Sequence, residues 1–515
     1  MFEELSTILS EVEVIVNHRP LTYVENDPGE PEPLTPAPFL ELSYGDSKYP
    51  IHFIELIDAT TARESHNKRK TYRTLLLKQL WRRWKEHVYL GQKYTIVLNE
   101  YKVAKEVLCN SAALDRSPDI FSHLGDIGFI AENGERWVEQ RRYCLSATRD
   151  LGLGRGHWED LIMDEASSFM KYLGGLKGKP TDISHNLATS ITSNIISLLI
   201  GRRLKRDEEA EKIQLSTDYS DIALTYTGPS LATTAIPGLR MFCEKLKIAG
   251  YDKAFEIIQK FSSFIREEIN LHKTSQDFRN VQDFINLYLQ KISDLTNNED
   301  VKHSFSEAML EGNLAILFLG ASDTIFSSLG WLYRLMSKHK DIQEKIYAEL
   351  MEFIGQDGRA RYEERHRIPY TFAVLMEAQR FGTIAPLSGT RKTNQDIHIN
   401  GYIIPKGSEI TANLWALHHD PAYWNQPKEF RPERFLTDGD TKIAKNLPSF
   451  APFSFGRRNC PGETIAWMEL LFYFSETLKR FEISPPPQKE TEFTTEIGLV
   501  TRLSPQPLCF KERKH

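Results

Sequence analysis

The chain has no uninterrupted apolar run of roughly 18 or more residues, the length a helix needs to cross a bilayer, and no basic N-terminal segment followed by an apolar core. As written, it is expected to carry neither a membrane span nor a signal peptide. Cysteine is scarce: Cys109, Cys144, Cys243, Cys460 and Cys509 lie far apart, with no C-x-x-C pair. That spacing argues against the disulfide framework of a small secreted domain and for a reducing compartment. Positive charge is not in excess either. A net charge of −6 and a pI near 6.2 argue against affinity of the whole molecule for nucleic acid. No repeat with a period of roughly 20–50 residues is visible, which argues against a solenoid.

What is present is ordinary globular material: 41% of residues are apolar and 26% charged, enough for a sizeable core in 515 residues. Residues 1–90 differ in character from the rest. They comprise a helical stretch to Asn17, a proline-rich acidic segment at 26–38 and a basic, aromatic stretch at 68–90. From Gly91 onward, apolar residues recur at three-to-four spacing, which predicts helices at 101–109, 134–147, 155–175, 184–201, 208–225, 248–273, 280–292, 304–336, 339–355, 368–380 and 461–481. Strands are expected at 94–98, 397–404 and 407–412, and the Gly- and Pro-containing stretch 227–238 reads as a loop between two long helices. The fold class is mainly α with small β-sheets.

The strongest local pattern lies near the C-terminus. Phe453, Gly456, Arg458, Cys460 and Gly462 fall in the spacing Phe-x-x-Gly-x-Arg-x-Cys-x-Gly, just ahead of an apolar helical stretch. Haem iron held by thiolate needs a deprotonated cysteine in a dry pocket. A place before a helix, with Pro461 as its first residue, is expected to lower the thiol pKa through the helix dipole and free N–H groups. Gly456 and Gly462 are expected to let the backbone turn tightly and pass close to a flat cofactor, with Phe453 shielding the sulfur. The bland alternative for a lone cysteine is a buried structural thiol. The loop resembles the haem-binding signature of the cytochromes P-450, and residues from about 91 to 510 follow that family in order. Segments 402–407 and 430–435 most resemble the animal microsomal branch that oxidises drugs, steroids and fatty acids.

The resemblance implies haem b with Cys460 as axial ligand, and insertion of one atom of O2 into a lipophilic small molecule. Electrons would come from NADPH through a flavoprotein reductase, with cytochrome b5 as an accessory donor. It implies peripheral contact with the endoplasmic reticulum membrane on its cytoplasmic face, and no nucleic-acid partner. Glu377 and Arg380 stand three apart in an expected helix and share a face. Alone they read as a surface ion pair. In the family, Glu-x-x-Arg joins a downstream arginine, here Arg434, to lock the fold beneath the haem. In the central helix, Gly320-Ala321-Ser322-Asp323-Thr324 resembles the element that bends over the oxygen site, with Asp323 and Thr324 relaying protons. Ala321 stands where glycine is usual, and Ile325 where a second hydroxyl is frequent.

Trp137 and Arg141 lie four apart, placing an indole N–H and a guanidinium on one helix face, and both can donate to a carboxylate. The resemblance makes them partners of a haem propionate, together with Arg116, Arg391 and Arg458. Substrate-pocket candidates by family position are Ile130, Gly320, Ala321, Ile384, Leu387 and Leu499.

The first 90 residues do not follow that family. Segments 5–22, 33–40 and 80–85 resemble the integrase C-terminal portion of Pao/BEL-type retroelement polyproteins, without that enzyme's acidic metal-binding residues. The expected organisation is therefore a retroelement-like piece at 1–90 and a haem domain at 91–515 that lacks the family's usual N-terminal anchor, first helix and first strand. On that reading, the strand at 94–98 has lost its partner and presents an aggregation-prone edge. A second functional class stays open: a non-catalytic haem- or ligand-binding remnant.

Overall fold

The computed structural model describes residues 88–513 except 91–92, 117–127, 152–155, 205–208, 226–244, 247–250, 275–282, 297–302 and 498–499. Residues 1–87 and the expected 227–238 loop lie outside the described residues. The helices are α1 Tyr101–Cys109, α2 Gly128–Ala131, α3 Gly134–Asp150, α4 Gly156–Gly175, α5 Ser184–Ile200, α6 Ala210–Thr225 and α7 Tyr251–Thr274. They continue as α8 Phe284–Thr296, α9 Glu307–Lys338, α10 Lys340–Phe353, α11 Pro369–Gly382, α12 Leu414–His419 and α13 Glu463–Arg480. Every helix expected from periodicity has a counterpart, shifted by a few residues at most.

The helix starts follow from local chemistry. The Glu100 carboxylate accepts the N–H groups of Lys102 and Val103, both at 2.9 Å, and the Ser306 hydroxyl accepts that of Met309 at 3.1 Å. The first turn of α11 is capped from outside, because Glu349 of α10 accepts the N–H groups of Tyr370 and Thr371 at 2.8 and 2.7 Å. Helices α7 and α8 are clasped by a buried pair. His272 Nε2 lies 3.1 Å from Asp283 Oδ2, and its Nδ1 lies 2.7 Å from the Glu268 carbonyl.

At the centre, α9 packs against α2, α5, α6, α7, α11 and α13. Its Leu314, Phe318, Ile325, Leu329 and Leu332 are buried in the larger core. Among the described residues α9 is the one helix long and apolar enough to cross a membrane, and over half of its apolar window is buried by its neighbours. Its composition is that of a core helix wrapped by others.

The strands are β1 Val88–Leu90, β2 Lys93–Leu98, β3 Arg391–Lys392, β4 Ile397–Ile399, β5 Tyr402–Ile404, β6 Glu409–Ala412, β7 Leu436–Thr437, β8 Lys442–Ile443, β9 Phe481–Ser484, β10 Thr495–Ile497, β11 Thr501–Leu503 and β12 Cys509–Glu512. The largest sheet has the order β1-β2-β6-β3, with Thr95–Leu98 parallel to Glu409–Ala412 and β1 antiparallel on the other side of β2. The expectation of an unpaired edge at 94–98 is therefore overturned at Tyr94 and Thr95, while Ile96–Leu98 pair with β6 alone. Val88–Leu90, at the end of the stretch set apart as foreign, supplies the second partner, and β2 is an inner strand.

The single strand expected at 397–404 is instead a hairpin. Asn400 and Gly401 both adopt positive φ, +49° and +82°, the geometry of a two-residue turn whose twist matches the strands. Beneath the sheet, Ile96, Leu98, Val107, Leu108, Ile397, Ile399, Ile410 and Leu414 form a second, smaller core.

Candidate functional site

The loop carrying Cys460 sits where the two cores meet. Phe453 packs on the helical core, its ring edge-on to Trp467 at 5.3 Å, while Phe455 packs on the sheet core. The Cys460 N–H donates to the Phe453 carbonyl at 2.9 Å, and the Asn459 N–H to that of Gly456 at 3.1 Å, closing the loop. Gly456 is required by the chain itself: φ is +71°, and a Cβ would lie 2.4 Å from the Leu108 carbonyl oxygen. Gly462 is not. Its φ is −91°, and a Cβ would make ordinary contacts with Ile465 and the Cys460 sulfur at 3.6 and 3.8 Å. The expectation that both glycines serve the turn is corrected to Gly456 alone.

Helix α13 starts at Glu463 with Gly462 as its N-cap, so Pro461 precedes the cap instead of opening the helix. The expected lowering of the thiol pKa is not found. Burial pushes the Cys460 thiol up, outweighing the Gly462 N–H and the Arg141 charge that pull it down. Helix-end effects act within the first turn, and Cys460 stands outside it. The side chain still keeps exposed surface.

Around this loop gather four guanidinium groups and an indole. Arg141 donates to the Asn459 carbonyl and side-chain oxygen at 2.9 and 2.8 Å. Arg458 donates to the carbonyls of Leu114 and Glu132 at 2.7 and 2.6 Å and lies 3.9 Å over the Trp137 ring. Arg391 reaches the carbonyls of Leu108 and Phe455 at 2.5 and 2.6 Å, and Arg116 that of Thr390 at 2.7 Å. Burial, and then repulsion among these cations, pulls Arg116 down to about 10 and Arg391 and Arg458 to about 9. Trp137 Nε1 and Arg116 Nε are buried without a hydrogen-bond partner. Clustered positive charge with orphaned donors calls for anions. The residues thus fit a haem: a thiol for its iron, and cations with free N–H groups for its two carboxylates.

Glu377, Arg380 and Arg434 come together, buried as the resemblance implied and not as the surface pair their spacing alone suggests. Arg380 grips Glu377 with two bonds of 2.7 and 2.8 Å, and Arg434 Nε adds a third at 3.2 Å. The Arg431 N–H donates to the same carboxylate at 2.8 Å. The remaining guanidinium N–H groups of Arg380 reach the carbonyls of His418, Pro427 and Glu429 at 2.8, 2.9 and 3.2 Å. Burial of this pair is sustained by that full set of partners.

Asp323 and Thr324 stand side by side in α9 and turn to different partners. Helix α9 runs unbroken, and the Thr324 hydroxyl donates to the Gly320 carbonyl at 2.8 Å. Asp323 points elsewhere: its Oδ1 accepts from Arg502 Nε at 2.6 Å, and Arg502 also donates to Asp221 of α6 at 2.7 Å. The two neighbours are turned apart because successive helical residues differ by about 100°. Burial pushes the Asp323 carboxyl up despite Arg502, and its Oδ2 has no partner.

Of the pocket candidates, Ile130, Ala321 and Ile384 are half-buried, Gly320 has open space at its Cβ position, and Leu387 is exposed. Leu499 lies outside the described residues. Sequence reasoning missed Arg502 and also Asn313, which seats α2 on α9. The side chain of Asn313 accepts the Phe129 N–H at 2.8 Å and donates to Gln140 at 3.0 Å. An asparagine in the middle of an apolar helix was the available signal for it. A cleft of about 1010 Å³ opens beside Trp137, lined by Arg136, Arg142, Lys291, His303 and Arg457; neither Cys460 nor Thr324 reaches it.

Comparison with known proteins agrees with this geometry. The family model described as Cytochrome P450 matches residues 85–510. Cytochrome P450 2J5 of Mus musculus is 30% identical over 431 residues, covering 82% of this chain and 83% of the mouse protein. Cytochrome P450 2K6 of Danio rerio is 31% identical over 437 residues, 83% and 84% of the two chains. Cytochrome P450 2U1 of Bos taurus is 31% identical over 426 residues, 81% and 76% of the two chains.

Proposed function

Because the chain belongs to the cytochrome P450 family, we propose that it is a haem-thiolate monooxygenase of lipophilic small molecules with Cys460 as the axial ligand. The family carries the coarse part: a haem protein of monooxygenase type. Haem, when bound, supplies the activation of O2 and the oxidation itself. The chain's residues do the rest. Trp137, Arg116, Arg141, Arg391 and Arg458 hold the two carboxylates, and those anions in turn relieve the repulsion among the cations. Phe453, held edge-on to Trp467, is the residue expected to shield the sulfur.

Thr324 presents a half-buried hydroxyl on the α9 face that carries Gly320, while Asp323 is paired with Arg502 and must turn from it to take up a proton and pass it on. Ile130, Ala321 and Ile384 offer apolar surface for a lipophilic substrate. Electrons come from a flavoprotein reductase whose acidic surface meets Arg136, Arg142 and Arg457. The likeness to animal relatives supports peripheral association with the endoplasmic reticulum membrane, and the retroelement-like piece is trimmed from 1–90 to 1–84, because the family match begins at 85 and β1 pairs with β2.

The observation that carries this reading is the convergence of an orphaned indole N–H and four guanidinium groups, those of Arg391 and Arg458 buried, on the Cys460 loop. The test is a carbon monoxide difference spectrum of the dithionite-reduced, haem-loaded chain. A strongly red-shifted Soret band is expected from thiolate ligation, and an unshifted band or none overturns the assignment of Cys460. A red-shifted band with no turnover on addition of NADPH and reductase would instead support the non-catalytic remnant.

A further inference from the structure

One buried histidine outside the site links its two strained segments. His418 of α12 is fully buried, and its ring bonds have only one consistent arrangement. The Ala451 N–H points at Nε2 at 3.0 Å, so that nitrogen accepts and carries no proton. Thr383 Oγ1 lies 3.0 Å from Nδ1 and donates its own proton to the Arg380 carbonyl at 2.6 Å, so Nδ1 donates to it. The ring is thereby a neutral Nδ1–H imidazole. In agreement, burial pulls its pKa down to about 3.

Both ends of this link are strained. Thr383, a β-branched residue, has φ +39°, and Ser449 and Ser454, flanking Ala451, have φ +65° and +62°. Such conformations persist where surrounding bonds over-determine them. From Ala451 the path to the thiol is short: its carbonyl accepts the Ser454 N–H at 3.0 Å, and the neighbouring Phe453 carbonyl accepts that of Cys460 at 2.9 Å. At the other end, Arg380 donates to the His418 carbonyl.

We propose that His418 is a positioning residue for the thiol: through Thr383 and Ala451 it ties the Cys460 loop to the buried Glu377–Arg380–Arg434 cluster. The inference rests on the reading of Cys460 as haem ligand. Partners behind a metal ligand set its orientation, and their loss typically weakens metal affinity by about 10–100-fold.

Two substitutions separate positioning from mere packing. H418Q places an acceptor where Nε2 stands and keeps the Ala451 bond; H418N keeps the Thr383 side and orphans the Ala451 N–H. Each loses one ring bond, so their thermal midpoints should fall together. The expected result in the carbon monoxide spectrum is a red-shifted band reduced only in part in H418Q and moved largely to the unshifted position in H418N, with haem affinity about tenfold weaker. T383V, which frees the other side of the ring, should give an intermediate share, and it serves alone if H418N does not fold. Bands unmoved in H418N, or in T383V where that stands alone, overturn the inference, leaving His418 a packing residue. A wild-type chain without the red-shifted band overturns the ligand assignment and this inference with it.

Discussion

The two glycines of the Cys460 loop look alike in a motif and differ in what enforces them. Gly456 has positive φ and a carbonyl 2.4 Å from its would-be Cβ, while Gly462 has neither constraint. G456A should therefore destabilise the chain by about 2–4 kcal/mol in urea unfolding even without haem. G462A should stay within about 0.5 kcal/mol in the same haem-free measurement and weaken only haem loading. Equal losses of stability would sink the distinction. This contrast also marks what was legible at this scale. The Cys460 loop and the Glu377–Arg380 spacing are local patterns, readable because the chemistry needs neighbours in sequence. The Arg502 partner of Asp323 comes from 179 residues away and leaves no spacing to read. Nor does a motif reveal that burial, and not the helix, dominates the thiol.

Between elements, the α7–α8 clasp carries a pH dependence. His272 presents both ring nitrogens to acceptors, the Glu268 carbonyl and the Asp283 carboxylate, so the ring is satisfied only as an imidazolium. Burial alone would pull its pKa down; the bond and charge of Asp283 overcome that and raise it above the ordinary 6.5. Around it stand Glu268, Arg202, Glu209 and Lys212, which pair among themselves. A histidine raised on folding gives stability that is full below its unfolded pKa and lost as pH rises through the folded one. Unfolding free energy should thus decline from about pH 6.5 upward, with a slope that H272Q abolishes. An identical slope in H272Q would refute the imidazolium. Helix periodicity located α7 and α8, but the clasp depends on which faces meet, and tertiary packing decides that.

For the whole molecule, the sheet is what joins the beginning of the described chain to residues 391–412. β2 is flanked on both sides at Thr95, so a proline there, opposite Val88 and Glu409, should cost about 3 kcal/mol or more. A urea midpoint unchanged in T95P would restore the edge-strand reading. The helical body was legible because amphipathic periodicity is written into each helix separately. The sheet order was not, since the sequence reading lacked both the β1 partner and the hairpin break at Asn400–Gly401.

The parallel pairing of Leu98 with Ala412 also sets a clock during synthesis. Roughly 310 residues separate the two, and at ribosomal rates of about 5–20 residues per second β2 waits on the order of 15–60 s for β6 to exist. Throughout that interval one flank of the nascent strand has nothing to pair with, so the hazard absent from the finished protein belongs to its birth, and chaperone supply is expected to set its yield in cells.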